Sequence, residues 1–125
     1  RNFGGKYMQK GKFSYQLKNN DIITKVNGEC FYKDEGVLSF IETDNTEISI
    51  DLKKKTFQRE NNEMVLFLDF SLSKGKILVK ELNNELDLQL KVNSHKMDDG
   101  KFSVNYTLSD QENFEFLIEW TLGGE

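Results

Sequence analysis

Few side chains in this sequence are of types that perform chemistry, and their spacing is sparse. Histidine occurs once, at His95, and cysteine once, at Cys30. A zinc or other transition-metal centre needs several such ligands converging, so no metal set is expected. As a general base, His95 would need a serine or cysteine nucleophile and an orienting carboxylate, yet no elbow-like glycine motif frames any serine. The acid pairs Asp34-Glu35 and Asp98-Asp99 both fall in turn-forming stretches. Glycosidase-type chemistry needs two carboxylates facing each other across a cleft, whereas turn acids ordinarily just form turns. Asp69 interrupts an apolar stretch, and if buried it requires a partner, for which Arg59 is the candidate by rarity. Arg59 is the one arginine besides Arg1. It suits either of two roles, an anchor for a ligand carboxylate or phosphate, or a guanidinium capping one end of the fold. No glycine-rich phosphate loop, nucleotide fingerprint or calcium-loop spacing is present, so no cofactor is expected and the chain does not read as an enzyme.

The elements that must position these residues are strands. Leu86, Leu88, Leu90 and Val92 alternate with polar residues, as do Phe102, Val104, Tyr106 and Leu108, and then Phe114, Phe116, Ile118, Trp120 and Leu122. A period of two signals strands with one buried and one wet face. On this phase His95 falls on the polar side, near a strand end. Phe13, Tyr15 and Leu17 form an earlier strand ending at Asn19-Asn20-Asp21, and Ile22 to Tyr32 forms a longer one in which Gly28 predicts a bulge or bend. Val37 to Glu42, then Ile48, Ile50 and Leu52, then Thr56 to Glu60 continue the series. Met64, Leu66, Leu68, Phe70 and Leu72 mark one face of the next strand, with Val65 and Phe67 opposite. Apolar residues on both faces there predict a contact outside the core, such as a second subunit. Some nine or ten short strands joined by tight turns, without a helix, read as an antiparallel meander. A closed barrel of about 8–10 strands accounts best for such a chain, because closure removes exposed edges, with a two-sheet sandwich as the alternative.

Composition narrows the class. With 125 residues the chain builds one domain, and a single cysteine excludes a disulfide-stapled scaffold and agrees with a reducing cytoplasm. No apolar run reaches the length of a membrane-spanning helix, so no membrane is expected as partner. The net charge is −4, but residues 1–20 carry Arg1, Lys6, Lys10, Lys12 and Lys18 and no acid. Residues 1–12 read as a flexible basic arm whose lysines are too dispersed for nucleic-acid binding.

The segments GECFYKDEGVLSFIE, TEISIDL, TFQRENN and ELDLQLKVNSHKMDDGKFSVNYTL, followed by FEFLIEW, occur in an order that resembles the YwiB-like bacterial proteins of unknown function. The features that carry the likeness are Gly28 to Tyr32, Leu38-Ser39-Phe40 with Glu42, Arg59, Gly75, and Asp99-Gly100 before the strand containing Tyr106. Lys80-Glu81 and Asn83-Asn84 depart from the aromatic and glycine expected before the Leu86 strand. The resemblance implies a calycin-like barrel, lipocalin-like in shape. On that analogy the expected function is binding of a small, largely apolar ligand lined by Tyr15, Tyr106, Phe116 and Trp120, with Arg59 as polar anchor. The alternative is an interaction module with a filled core that contacts a second copy, as a homodimer, or another protein through Val65 and Phe67.

Overall fold

The computed structural model describes the backbone of residues 2–3, 6–33, 36–42, 45–109 and 111–123, with side chains from residue 9 onward. Eleven strands follow in chain order: β1 (Asn2–Phe3), β2 (Lys6–Asn19), β3 (Ile22–Lys33), β4 (Val37–Ile41), β5 (Glu47–Asp51), β6 (Thr56–Glu60), β7 (Met64–Asp69), β8 (Lys74–Val79), β9 (Asn84–Asp98), β10 (Lys101–Leu108) and β11 (Glu112–Leu122). Each pairs antiparallel with its successor from β2 to β11, and β2 also pairs with β11. The result is a closed barrel of ten strands with β1 attached to β2 as a short hairpin. All-β architecture and closure therefore agree with the alternation of the sequence. β2 begins earlier than the alternation indicated. Gln9 to Lys12 are ladder residues, while Arg1, Gly4 and Gly5 of the expected arm lie outside the described residues.

The turns carry the residues that tolerate them. Asn20, Asn45, Asn83, Gly36 and Gly100 take positive φ, as do Lys55, Ser73 and Ser109. Lysine and serine enter this region at a cost, which side-chain caps offset at two of the corners. Asp51 Oδ1 accepts from the amides of Lys53 and Lys54, and Asp69 Oδ1 from those of Ser71 and Leu72, each at 3.0 Å. Asp69 is thus a turn cap and makes no pair with Arg59.

Inward-facing residues of all ten strands meet in one core. Leu38, Phe40, Ile48, Ile50, Leu68, Phe102 and Ile118 are almost fully buried, with Phe13 stacked on Phe40 at 3.8 Å between ring centroids. Cys30 is also buried there, and desolvation pushes its thiol up from its ordinary value, which leaves it unreactive. Three expectations change. Gly28 makes no bulge, because the β2–β3 register runs unbroken through it. It lies directly opposite Phe13, whose ring covers the position a side chain would otherwise fill. The bulge falls in β9 instead, where pairing passes from Asn105↔Ser94 to Tyr106↔Val92 and leaves Asn93 over. The Asn93 amide donates at 3.0 Å to Asn105 Oδ1 and to Thr107 Oγ1, holding the extra residue on the outer wall. Past this point the phase of β9 is inverted, so exposed His95 stands opposite Val104 rather than on the polar phase. Leu86 is also 52% exposed, since the inner face of β9 continues beyond the core.

Two glycines test the closure. A Cβ on Gly11 would lie 2.3 Å from the Thr121 carbonyl oxygen across the β2–β11 ladder, whereas one on Gly28 meets nothing nearer than Phe13 Cε1 at 3.4 Å. Gly11→Ala is expected to destabilise the barrel by about 1–3 kcal/mol through backbone displacement. Gly28→Ala is expected to be neutral or to stabilise by roughly 0.5 kcal/mol through lost unfolded-state entropy. Urea denaturation midpoints of the two variants check the contrast.

Candidate functional site

Alternation places Tyr15 and Leu17 of β2, Tyr106 of β10 and Phe116 of β11 on the inner wall, and the ladder brings them to one level. Phe57 and Arg59 of β6 share that wall, because Arg59 lies opposite buried Ile48. Glu42 follows the last residue of β4, where its amide donates to the Thr46 carbonyl at 2.7 Å. Its carboxylate then reaches over the barrel end. Tyr15 Oη donates to Glu42 Oε2, and Arg59 Nη2 donates to Glu42 Oε1 at 3.2 Å. The Glu42 side chain is 11% exposed and that of Arg59 45%, so a shielded carboxylate is matched by a guanidinium that still faces solvent. A carboxylate so enclosed would be costly without both donors.

Below this clasp lies a cavity of about 60 Å³ lined by Tyr15, Leu17, Glu42, Ile48, Phe57, Arg59, Phe70, Tyr106 and Phe116. Its wall is aromatic: Tyr15 and Phe57 pack against Phe116, and Tyr106 against Phe70. Burial pushes the Tyr106 phenol well above the ordinary tyrosine range, and no hydrogen bond to its hydroxyl occurs among the described residues. Charge is balanced at the rim and absent below it.

Of the residues singled out from sequence, the fold unites Tyr15, Arg59, Tyr106 and Phe116 around this cavity. Trp120 lies elsewhere. It pairs with Phe13, its amide donates to the Gly100 carbonyl at 3.0 Å, and it borders an open depression with Lys12 and Asp99. Glu42 was visible in the sequence only as part of the resemblance, and nothing local to it signals its role. Val65 and Phe67 face outward and are half-buried by neighbours on β6 and β8. Asp98 and Asp99 stand exposed at the β9–β10 turn, while Asp34 and Glu35 lie outside the described residues. No group of three or more histidines, cysteines or acids with metal-binding geometry occurs among the described residues, and no helix there is long and apolar enough to cross a membrane.

No family model matches the chain, and no curated protein matches it. Among solved structures it is similar to the ywiB protein from Bacillus subtilis, with a TM-score of 0.64, 14% identity and 93% of each chain covered. The barrel is YwiB-like in fold. At that identity the likeness carries the architecture alone, and the YwiB-like barrel of this chain has to be read for function from its own residues.

Two outcomes follow from the clasp and from Tyr106. Tyr15→Phe leaves the shielded carboxylate short of a donor and is expected to cost about 1.5–3 kcal/mol. The same change in a Glu42→Gln background should cost measurably less, and a double-mutant cycle in urea reads the coupling. For Tyr106, the folded phenol resists ionisation while the unfolded one loses its proton near 10.0. The folded state then holds the extra proton, so stability is full below that pH and falls above it by up to about 1.4 kcal/mol per pH unit. Tyr106→Phe should flatten that alkaline slope in denaturation curves measured between pH 9 and pH 11, values chosen to straddle about 10.

Proposed function

We propose that this chain is a non-catalytic, calycin-like bacterial barrel of the cytoplasm that binds a small, largely apolar ligand at the Arg59 end. The observation that carries this reading is the apolar cavity beneath a charge-neutral rim. Its size defines the ligand. A cavity of about 150 Å³ admits benzene and a water occupies about 30 Å³ of liquid, so 60 Å³ accepts only a short apolar group. The ligand therefore enters end-on, with its apolar tip against Leu17, Phe57 and Phe116 and its polar part outside. Arg59 spends one amino group on Glu42 and keeps further N–H donors toward solvent, which makes it the anchor for an acceptor on the ligand. Tyr106 supplies a phenol to whatever lies against it. An enzyme reading finds less support, because exposed His95 borders a separate depression with Ser94, Asp98 and Phe116 and does not line the cavity itself.

A second reading, self-association of a filled barrel, draws on the outer wall, where Val65 faces Leu78 across β7 and β8 beside Phe67. The two readings differ in where a probe acts. Xenon and 1-butanol, added separately, are expected to shift the NMR signals of Leu17 and Phe116 in the wild-type protein. Leu17→Phe, which fills the cavity, should abolish those shifts while keeping the fold. Unchanged signals in the wild type would remove the ligand-binding reading.

A further inference from the structure

The antiparallel meander gathers the β2–β3, β4–β5, β6–β7, β8–β9 and β10–β11 connections at one end of the barrel, the end that holds Glu42 and Arg59. Six of the eight large exposed apolar residues of the described chain belong to that end: Ile22, Ile23, Ile41, Met64, Leu82 and Leu86. Ile22 and Leu82 are each 70% exposed and Ile41 is 68% exposed. Isolated exposed apolar side chains are ordinary, but a set contributed by four separate connections around one opening is a surface. Acids punctuate it. Asp21, Glu47, Glu63, Glu81 and Glu112 are exposed at the same end, and none makes a salt bridge within the described residues. Lys80 is engaged by Glu60 at 2.8 Å and Arg59 by Glu42, while Lys18 opposite Ile23 and Lys25 on β3 are outnumbered by these five acids, so the end carries net negative charge.

We propose that this end of the barrel is a docking surface for a basic segment of a partner protein that carries apolar side chains. Charge complementarity selects that occupant. Anionic lipid headgroups and the same end of a second copy both bring negative charge to a negative rim, and like charges brought together across an interface disfavour docking. A basic amphipathic segment matches both features, its apolar side chains covering Ile41, Leu82 and Leu86 and its cations meeting the acids between them. This surface is a partner site beyond the ligand reading and does not depend on the cavity being occupied.

The probe is a fluorescein-labelled amphipathic peptide of leucine and lysine, about 18 residues long, with a leucine/glutamate peptide of the same spacing as control. Fluorescence anisotropy is expected to show binding of the lysine peptide alone. A Leu82→Ser/Leu86→Ser variant and a Glu63→Lys/Glu81→Lys variant should each weaken it by about tenfold or more. Both sites are exposed, and thermal unfolding by circular dichroism confirms that the variants fold. Leu17→Phe should bind the peptide as the wild type does, which separates failure of this surface from failure of the cavity. Equal affinity in all variants, or no binding of the lysine peptide, would overturn the proposal. So would a sedimenting dimer lost in Leu82→Ser/Leu86→Ser, which would make a second copy the occupant, or binding to phosphatidylglycerol vesicles, which would make it a membrane.

Discussion

Everything in this barrel depends on β2 pairing on both of its edges. One strand joins β3 by a hairpin and β11 across the closure, so the ladder has no beginning and the inner faces of ten strands converge on one core. The chain has no proline and therefore lacks one common means of blunting an exposed edge. Closure supplies the alternative, at the cost of close approach between backbones. Gly11 sits where the Thr121 carbonyl of β11 leaves no room for a side chain, and Phe13 stacks on Phe40 just beyond it. The tight seam and the packed aromatic pair are two consequences of the same constraint.

Curvature and clasp follow from closure. The Asn93 bulge bends β9 while four polar side chains, Asn93, Asn105, Thr107 and Asn113, bind one another on the outer wall and hold it. At the end of the barrel near Arg59, the inner face would present a bare aromatic opening. Glu42 spans it, joined to Tyr15 of β2 and Arg59 of β6, residues 27 and 17 positions away in sequence. The arginine thus serves as a cap through Glu42 while part of its donor set remains turned to water.

Much of this was legible before the fold. Alternation marks the face of each residue, so the buried set Phe102, Val104, Tyr106, Phe116 and Ile118 could be read directly, as could turns at Asn20, Asn83 and Gly100. Periodicity does not mark height along the barrel, which is why Trp120 shares a phase with Phe116 yet lies away from the cavity, and why Leu86 is exposed. The bulge was hidden because Asn93 is not a residue type that announces one. Its trace is a change of apolar phase, from Val92 to Met97, within one strand. Glu42 was invisible as a site residue because its partners come from strands that only closure brings near. Asp69, left open in the sequence between a solvent-facing acid and a buried one in need of a partner, is satisfied locally by its own turn.

The central claim is that the small apolar cavity beneath Glu42 and Arg59 is a binding site rather than a packing remnant. Native mass spectrometry of the protein isolated gently from its own host tests this most directly. The account predicts a monomer carrying one reproducible small mass that is released on denaturation and is missing from Leu17→Phe. A monomer without any passenger would contradict it, and a ligand-free dimer would do so as well, shifting attention to the outer wall around Val65 and Phe67.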